Sequence, residues 1–388
     1  MPSLESERQP HICIAHPGGD SAYSETFIRE HISRIPEVKT VLSKGVFPSK
    51  INGVDLFSVA IRQTNKIMAA LPFSISRDLA FLQRNRLLAR VLRRRHVDIV
   101  LAEYGPTGSS ITPACRIAGV PLVVHFHGQD AFHVPTLEKY RSGYRAMFKS
   151  VAGIIVGTDE MRQQVEALGA PADKIYKNPC GVDTQLFQPI DAAQNPPVFL
   201  ALGRFVEKKA PHLTILAFHK VVQSRPDAKL IMIGDGNLLD ACKQIVRALC
   251  LVDHVEFRGA LNQQQVAELM KTARAFVQHS AKPESGDSEG TSISVLEAAS
   301  TALPVVATRH GGIKDSVKHG LTGFLVDEYD IESMTHYMLK LVDEPALAGD
   351  MGRRGRKRME TKYAMERSIS ELRSILLRVL ETSPRAVA

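Results

Sequence analysis

The sequence predicts an α/β protein in which two doubly wound parallel sheets follow each other along the chain. Short apolar, β-branched segments alternate with helix-length segments in two series. The strand segments of the first series are 11–15, 97–102, 120–126 and 153–157, and those of the second are 197–203, 229–234, 254–259, 274–279 and 304–309. Such alternation is typical of parallel sheets with helices on both faces. The length of 388 residues supports two cores, because one core seldom grows beyond about 250–300 residues.

A polar segment that contains prolines lies between the two series. Residues 188–197 read QPIDAAQNPP, which is the composition of a hinge or linker. We therefore expect one α/β domain over 1–188 and a second over 189–388. The last amphipathic segment, about 366–380, is expected to form a helix that packs back on the N-terminal domain.

The composition is that of a globular protein, with 44% hydrophobic and 23% charged residues. The first ten residues lack the apolar core of a signal peptide, and no apolar run approaches the ~18–20 residues that span a bilayer. The five cysteines are scattered and form no CxxC pair, which predicts buried thiols in a reducing compartment. We therefore expect a cytoplasmic protein.

A formal net charge of +8 favours anionic partners. Six arginines crowd a predicted helix between Phe81 and His96: Arg84, Arg86, Arg90, Arg93, Arg94 and Arg95. Its apolar residues are expected on the opposite face and are Leu82, Leu87, Leu88, Val91 and Leu92. Two interpretations stay open, a solvated helix face and attraction to an anionic membrane surface. Nucleic acid is not an expected partner, because no helix-turn-helix, zinc-finger or aromatic RNA-binding signature accompanies the charge.

The segment 283–307 predicts an anion-binding site. A polar loop turns into a helix that is expected to begin near Thr291 or Ser292. A helix start offers unpaired N–H groups and a positive dipole end, and Gly290 lets a ligand approach the backbone closely. The amides of Thr291, Ser292 and Ile293 are therefore expected to bind an anion such as a diphosphate.

Four charged side chains can serve the same site. Glu289 and Glu297 are eight residues apart, about two helical turns, so both carboxylates can face one cleft. Gly203 ends a predicted strand, Arg204 directly follows it, and Lys209 stands at a helix entrance, where Lys208 could serve as the ligand in its place. Two fixed cations suit a departing diphosphate, because they stabilise its negative charge where water is excluded. They can take the place of a divalent metal, so we expect neither a metal nor another cofactor.

A third candidate follows the strand segment 120–126. His127 and Asp130 emerge at its carboxyl end, which is the edge where ligands bind in open α/β sheets. We expect a site role for His127 and a structural role for His125, two residues back along the strand.

These segments resemble family 4 of the retaining glycosyltransferases. Glu289, seven intervening residues and Glu297 match the E-x7-E signature of that family, and 303–326 resembles the run that follows it. The stretch 200–213 resembles the phosphate-binding element G-R-x-x-x-x-K-G, with Ala210 where glycine is usual. The residues HGQD at 127–130 match the H-G-x-D element, and 177–187 resembles the short N-x-G-V-D element.

The resemblance implies the GT-B fold, in which two Rossmann-like domains face a cleft and the donor binds mainly to the C-terminal domain. It also implies that Glu289 binds hydroxyls of the donor sugar, that Glu297 binds the nucleotide ribose, and that His127 contacts the donor sugar or the reacting centre. The expected catalytic residues are His127, Arg204, Lys209 and Glu289. The expected donor-binding residues are Gly203, Arg204, Lys209, Glu289, Gly290, Thr291, Ser292, Ile293 and Glu297.

On the acceptor side, the resemblance narrows to enzymes that build bacterial exopolysaccharide. The stretch YSETF at 23–27 looks like the corresponding stretch of those enzymes. The expected acceptor-side residues are Gly18, Gly19, Tyr23, Glu25 and Asp130, the last of which would orient its loop. A tight turn after the first strand explains the two glycines equally well.

The resemblance therefore implies retaining transfer from a UDP-, GDP- or ADP-sugar to a hydroxyl of a glycan. A lipid-linked glycan of bacterial cell-surface polysaccharide biosynthesis, at the inner face of the plasma membrane, is the expected acceptor. Two alternatives stay open: a small-molecule or natural-product acceptor, and a GT-B nucleotide-sugar epimerase. A nicotinamide dehydrogenase is disfavoured, because Gly234-Asp235-Gly236 lacks the third glycine of the dinucleotide fingerprint.

Overall fold

The computed structural model describes residues 8–18, 26–56 and 73–383 and divides the chain into two units. The first unit comprises the chain up to Ala131, Thr136–Asn178 and the segment from Ile369 onward. The second comprises Phe132–Pro135 and Pro179–Ser368. The main division therefore falls between Asn178 and Pro179, earlier than the boundary at 188 that the linker composition predicts.

The first unit contains an eight-stranded sheet. Its strands are β1 (Ile12–Ala15), β2 (Val38–Ser43), β3 (Lys50–Ile51), β4 (Val54–Asp55), β5 (Ile99–Glu103), β6 (Leu122–His125), β7 (Gly153–Val156) and β8 (Ile175–Lys177). The strand order is β4-β3-β2-β1-β5-β6-β7-β8, and only the pairs at the β4 edge, β2–β3 and β3–β4, are antiparallel. Because the other strands run parallel, their carboxyl ends share one edge of the sheet.

Helices connect the parallel strands of this first sheet. They are α1 (Thr26–Arg34), α2 (Phe73–Arg94), α3 (Gly105–Ala118), α4 (Gln129–Phe132), α5 (Val134–Phe148) and α6 (Asp159–Ala167). Pro106 lies in the first turn of α3, where a missing N–H costs no hydrogen bond. Gly119, at a φ of 70°, ends the same helix and donates to the Arg116 and Cys115 carbonyls.

The second unit contains a six-stranded sheet in which every recorded pair is parallel. Its strands are β9 (Val198–Leu202), β10 (Lys229–Ile233), β11 (Val255–Phe257), β12 (Ala275–Gln278), β13 (Val305–Thr308) and β14 (Gly323–Val326), in the order β11-β10-β9-β12-β13-β14. The helices are α7 (Pro211–Ser224), α8 (Leu239–Ala248), α9 (Gln263–Met270), α10 (Ile293–Ser300), α11 (Ile313–Ser316), α12 (Ile331–Asp343) and α13 (Pro345–Arg358). The strands before β12 are added on one side of β9 and those from β12 onward on its other side, which creates a topological switch point between β9 and β12.

Alternate residues of the second sheet supply a core on each of its faces. Phe199 and Ala201 of β9 belong to one buried cluster together with Phe218 of α7. Leu200, between them, belongs to the other cluster and is the register partner of Phe276 in β12. Burial on both faces explains why these strands have continuous apolar sequences instead of alternating ones.

The final helix, α14 (Met365–Thr382), begins in the second unit and continues in the first. Within the first unit, the Arg373 Nε donates to both carboxylate oxygens of Glu37, at 2.9 and 3.0 Å. Glu37 is buried, and its hydrogen bonds with Arg373 lower its pKa against the opposing effect of burial. This bidentate pair fixes the helix to the loop before β2.

The segment predicted as a linker is packed into the second unit. Ala192 is fully buried in a short 3-10 turn, Ala192–Gln194. The Asn195 side chain donates to the Lys271 and Ala273 carbonyls, at 2.8 and 2.6 Å. The prediction of a hinge is therefore wrong for this part of the segment, because its polar residues are hydrogen-bonded within the domain.

Two surface details also differ from the sequence interpretation. Leu82 of α2 is 45% exposed, although it was expected on the buried face of that helix, whereas Leu88 and Leu92 are buried. Cys250, which follows α8 with a positive φ of 56°, is exposed, unlike the other four cysteines. No helix within the described ranges is long and apolar enough to cross a membrane.

Candidate active site

A pocket opens where β9, β10 and β12 of the second unit end. It has a volume of about 290 Å³, counting the solvent space at its mouth, and is lined by residues that include Gly203, Lys209 and Gln278. The position is the switch point of the sheet, where open α/β folds bind their ligands. Lys209 lies over Gly203, because a Cβ on that glycine would be 3.4 Å from the lysine Cδ and Cε.

A buried ion pair between Lys209 and Glu289 lies at this pocket. The Lys209 Nζ is 3.2 Å from the Glu289 Oε2, and the two side chains are only 14% and 8% exposed. Lys209 ends a 3-10 turn, Glu207–Lys209, which is followed by Ala210 at a φ of 37° and ψ of 52°. Ala210 thus adopts the left-handed conformation for which a glycine is usual, at a steric cost.

The environment shifts the pKa of both partners. Burial lowers the pKa of Lys209, and the neighbouring Lys208 and Arg204 add to this effect, while Glu289 opposes it. Burial would raise the pKa of Glu289, but the ammonium groups of Lys209 and Lys208 outweigh it and lower the pKa to about 2. Glu289 is therefore ionised at neutral pH, and its Oε1 is buried without a hydrogen-bond partner among the described residues.

The neighbouring cations have different environments. Lys208 is buried, its Nζ lies 3.1 Å from an Asp287 carboxylate oxygen, and, unlike Lys209, it is not among the residues that line the pocket. Arg204 is exposed, and its guanidinium has no hydrogen bond or ion pair with any residue that the structure describes. Lys209 and Arg204 are therefore the cations best placed to meet an anionic ligand.

Helix α10 begins beside the same pocket. Ser292 is its N-cap residue, with an extended φ of −77° and ψ of 101°, but its side chain does not cap the helix. Instead, the Ser294 hydroxyl donates to the Gln278 Oε1 at 2.9 Å, and Gln278 lines the pocket. The first N–H groups of the helix, which include those of Ile293 and Ser294, have no partner within the helix and can bind an anion.

The backbone of Glu289 is held by the segment His310-Gly311-Gly312. The Glu289 N–H donates to the His310 Nε2 at 3.2 Å, and the His310 Nδ1 lies 2.6 Å from Glu328 Oε1. Gly311 has a φ of 47°, and a Cβ there would lie 2.3 Å from the Glu289 carbonyl oxygen. Only glycine permits this close approach, which explains its place in the sequence.

Glu297 lies within α10 and is buried, at 6% exposure. Burial raises its pKa to about 8, while a hydrogen bond from Gln263 and the charge of Lys209 oppose the rise. Glu297 is therefore largely protonated at neutral pH, whereas Glu289 is ionised. The two acids of the sequence motif share Lys209 as an electrostatic neighbour but differ in charge.

The first unit brings His127 and Asp130 together in one loop. The buried Asp130 carboxylate accepts hydrogen bonds from the backbone N–H groups of His127, Gly128 and Gly105, at 2.9, 3.1 and 2.8 Å. Burial raises the pKa of Asp130 to about 6, and these backbone donors oppose the rise. Asp130 thus holds the loop and the start of α3 with a carboxylate that faces inward.

Next to this loop is a cluster that sequence reasoning missed. Glu103, the last residue of β5, is fully buried and is surrounded by three histidines. Its Oε1 lies 2.7 Å from His31 Nδ1, and its Oε2 lies 2.7 Å from His127 Nε2 and 3.3 Å from His125 Nδ1. The available signal in the sequence was an acid directly after the apolar segment 97–102. In the structure this acid, Glu103, is the register partner of His125 in β6.

Three residues of this cluster have a spacing that could hold a metal ion. The ligand atoms of His31, Glu103 and His125 all lie within 4.8 Å of one another. The 2.7 Å contacts are direct carboxylate–imidazole hydrogen bonds, so the carboxylate already occupies the place between the rings.

Of the other residues expected on the acceptor side, the structure describes only Gly18. Gly18 accepts a hydrogen bond from the Lys44 N–H at 3.2 Å, in the turn after β1. Gly19, Tyr23 and Glu25 lie outside the described residues. The second unit thus groups Arg204, Lys209, Glu289, Glu297 and the start of α10, and the first unit groups His127 with Asp130.

Two protein-family models match adjacent parts of the chain. The model described as Glycosyltransferase Family 4 matches residues 18–186, and the model described as Glycosyl transferases group 1 matches residues 182–358. Together they extend over both units.

Curated relatives agree with this result. The amylovoran biosynthesis glycosyltransferase AmsK of Erwinia amylovora is 26% identical over 286 residues, which is 73% of this chain and 70% of AmsK. The GDP-mannose-dependent alpha-(1-6)-phosphatidylinositol monomannoside mannosyltransferase of Mycolicibacterium smegmatis is 29% identical over 359 residues, 87% of this chain and 89% of that enzyme.

A solved structure shows the same fold. HepE of Anabaena, crystallised with UDP and glucose, superimposes with a TM-score of 0.72 at 18% identity and covers 95% of this chain and 99% of its own. The prediction of two Rossmann-like domains is confirmed. The chain is thus a glycosyltransferase of the GT-B fold, made of a Glycosyltransferase Family 4 region and a Glycosyl transferases group 1 region.

Proposed function

We propose that this glycosyltransferase transfers a sugar, with retention of anomeric configuration and without a metal cofactor, from a nucleotide-diphosphate sugar to a hydroxyl of a glycan. The proposed acceptor is a lipid-linked glycan of bacterial cell-surface polysaccharide biosynthesis, at the cytoplasmic face of the membrane. The observation that carries the proposal is the buried Lys209–Glu289 pair at 3.2 Å beside the start of α10.

Each group of this constellation has a proposed ligand. Arg204, Lys209 and the first amides of α10 bind the diphosphate, because they are the cations and unpaired donors at the pocket. The unpartnered Oε1 of Glu289 accepts a hydrogen bond from a hydroxyl of the donor sugar. Glu297 binds the ribose.

The proposed reaction is a front-face displacement. The acceptor oxygen forms a bond to the anomeric carbon on the side from which the diphosphate leaves, and the bond from that carbon to the phosphate oxygen breaks. The electron pair stays on the nucleoside diphosphate, whose phosphate oxygen takes the acceptor proton. Arg204 and Lys209 stabilise the charge that develops on the phosphates.

The relatives support this substrate class. The name of AmsK refers to amylovoran biosynthesis, that of the mycobacterial relative to a mannosyl transfer onto a phosphatidylinositol mannoside, and HepE was crystallised with UDP and glucose. UDP- and GDP-sugars are therefore the first donors to test, with ADP-sugars as the third class. A polyprenyl-linked or phosphatidylinositol-linked glycan is the first acceptor.

The surface of α2 supports the proposal that the protein binds an anionic membrane surface. Leu79, Phe81 and Leu82 are exposed on this helix, next to six exposed arginines, which are Arg84, Arg86, Arg90, Arg93, Arg94 and Arg95. Arg93 is partly engaged, since it donates to the Ile117 and Ala118 carbonyls at the end of α3. Apolar side chains beside exposed arginines are typical of helices that bind anionic lipid headgroups.

Vesicle sedimentation tests the membrane proposal. Replacement of Arg84, Arg86 and Arg90 by alanine should release the protein from phosphatidylglycerol-containing vesicles, because each basic residue near the surface contributes ~1 kcal/mol. The matched control replaces Arg354, Lys357 and Lys362 by alanine. These residues are also exposed, and their replacement removes the same number of positive charges. Equal release by both triple variants would show that net charge, and not this helix, governs binding.

A donor screen tests the reaction. The protein is incubated with UDP-, GDP- and ADP-sugars, with and without a lipid-linked glycan and a chelator, and the released nucleoside diphosphate is measured. We expect one nucleotide class to give acceptor-dependent release that the chelator leaves unchanged, and NMR of the product to show the donor's anomeric configuration. An inverted product, or loss of activity with the chelator, would contradict the mechanism, and a donor altered without acceptor would indicate an epimerase.

A further inference from the structure

We propose that Glu103 is a positioning residue that holds His127 in one tautomer, with Nε2 protonated and Nδ1 presented as an acceptor for a sugar hydroxyl. The inference deepens the proposed function, since it names the atom with which the first unit meets its carbohydrate substrate. It rests on the buried cluster of Glu103, His31, His125 and His127, which we call the Glu103 cluster.

The contacts fix the direction of the hydrogen bond between Glu103 and His127. The Glu103 Oε2 lies 2.7 Å from His127 Nε2. Burial would raise the pKa of Glu103, but the three histidines outweigh it and hold the pKa well below its ordinary value. An ionised carboxylate can only accept, so the proton of this hydrogen bond is on His127 Nε2.

His127 itself is neutral at physiological pH. Burial lowers its pKa to about 4, the nearby His125 adds to this effect, and Glu103 opposes it. A neutral imidazole carries one proton, and that proton is on Nε2, so Nδ1 keeps its lone pair. Among the residues that the structure describes, His127 Nδ1 has no hydrogen-bond partner.

His127 is the outermost side chain of the cluster. Glu103, His31 and His125 are buried, at 0%, 2% and 1% exposure, whereas the His127 side chain keeps 8% of its surface exposed. The ring of Phe27 lies 4.4 Å from that of His127, and the ring of Tyr104 lies 4.7 Å from it. Two aromatic neighbours and the bond at Nε2 thus fix the ring plane.

The backbone supports the same function. Tyr104 has a φ of 74° and a ψ of 137°, a conformation that a bulky residue rarely adopts, and its N–H donates to the His125 carbonyl at 2.9 Å. Such strained residues cluster at functional sites, where the surrounding structure holds them in place. Asp130 fixes the His127 N–H and the Gly105 N–H, so the loop and the start of α3 move together.

A zinc ion is the competing explanation for three histidines and one carboxylate. Zinc would hold each ligand atom at about 2.0–2.2 Å and would separate the carboxylate from the rings. The 2.7 Å contacts of Glu103 with His31 and His127 instead place the carboxylate directly against the two rings. The cluster is therefore hydrogen-bonded, and a bound metal becomes an outcome of the test.

Histidine tautomers can be measured without a substrate. Long-range proton–nitrogen NMR of protein labelled with nitrogen-15 at histidine distinguishes the two tautomers, and the His127→Gln variant assigns the resonances. We expect His127 to be the Nε2-protonated tautomer near neutral pH. A doubly protonated or Nδ1-protonated His127 would overturn the inference, as would one equivalent of zinc found by elemental analysis after dialysis.

The Glu103→Met variant removes the acceptor while it keeps the side-chain size. We expect His127 to become a mixture of tautomers and turnover to fall about 10–100-fold, on the scale known for losing the outer hydrogen bond of a metal-binding histidine. Glu103→Asp, which keeps a carboxylate, should recover part of the loss. Glu37→Met is the matched control, because it removes another buried acid of the same unit and should leave the His127 tautomer and turnover unchanged.

The two readouts separate this inference from the proposed function. The positioning role of Glu103 would be refuted if His127 stayed fully Nε2-protonated in Glu103→Met, or if turnover stayed unchanged although the tautomer changed. If the unaltered protein shows the expected tautomer but transfers no sugar from any donor, the proposed function fails while the tautomer assignment stands.

Discussion

Replacement of Glu297 by glutamine is expected to stabilise the protein at alkaline pH and to weaken nucleotide binding at the same time. Glu297 is buried, and burial raises its pKa to about 8, against the opposing effects of Gln263 and Lys209. In the unfolded chain an ordinary glutamate titrates near 4.3. Between these two values the folded protein binds a proton that the unfolded chain has already released.

The sign of the effect follows from this difference in bound protons. Stability falls as pH rises wherever the native state binds more protons than the unfolded state, so the stability that protonated Glu297 contributes is complete below the unfolded pKa and is lost as pH rises toward 8. The slope is about 1.4 kcal/mol for each pH unit, an upper limit of about 4 kcal/mol between pH 5 and 8. Glutamine is neutral throughout and lacks this slope.

The assay compares thermal unfolding of Glu297→Gln and the unaltered protein at several pH values between about 5 and 8. The difference between their midpoints should grow, in favour of the variant, by up to about 2 °C for each pH unit when all 388 residues unfold together, and by up to about 3–5 °C when the second unit unfolds by itself. Glu268→Gln makes the same chemical change at an exposed position of α9 and serves as the control. A difference for Glu297→Gln that stays constant with pH would refute the buried, protonated state of this acid.

The second part of the prediction concerns binding. The affinity of Glu297→Gln for UDP or GDP, measured by calorimetry near pH 7, should fall about 2–12-fold, since a hydrogen bond between neutral groups contributes roughly 0.5–1.5 kcal/mol. Gain of stability together with loss of binding is typical of a residue kept for function. Unchanged nucleotide affinity would remove Glu297 from the ribose site.

Three further predictions concern the same unit. Lys209→Ala should lower kcat about 100–1000-fold while KM for the acceptor changes little, because the ammonium stabilises the leaving diphosphate; equal losses in both, or unchanged turnover, would contradict this. Glu289→Gln should reduce the ratio of kcat/KM between preferred and disfavoured donor sugars by at least ~10-fold, because Oε1 is unpartnered; an unchanged ratio and rate would remove Glu289 from the sugar site. Ala210→Gly should raise the free energy of unfolding by about 1 kcal/mol, since it relieves a φ of 37°; a less stable variant in denaturant titration would mean that methyl packing dominates there.

The sequence was sufficient for the architecture, whereas the donor-side residues of the site stay predictions. Alternating apolar strands predicted both sheets, and the start of α10 falls at Ile293, one residue from the expected range. Five strands were not predicted: β2, β3, β4, β8 and β14. Of these, β3 and β4 have only two residues each, β8 has three, and β14 begins at Gly323, which has low strand propensity. The segment 188–197 was misjudged because composition cannot show that polar side chains find partners in the fold.

The Glu103 cluster shows where pattern reasoning ends. His127 matched a motif, whereas His31 lies on α1, seventy-two residues before its partner Glu103. No local pattern records a contact over that separation, since it depends on how α1 packs against the carboxyl edge of the sheet. The acid at the end of an apolar strand was visible, but only the register of β5 with β6 makes it a neighbour of His125.

The different charges of Glu289 and Glu297 give the second unit a defined electrostatic balance. Arg204 and Lys209 supply two positive charges and ionised Glu289 supplies one negative charge, while protonated Glu297 adds none. The start of α10 adds roughly half a positive charge, so the pocket is net positive when an anionic diphosphate arrives. Ionisation of Glu297 above its pKa of about 8 would cancel most of that charge. The burial that makes Glu297 costly to ionise therefore keeps the phosphate site attractive at neutral pH, and the affinity for nucleoside diphosphate should decline on the alkaline side of this pKa.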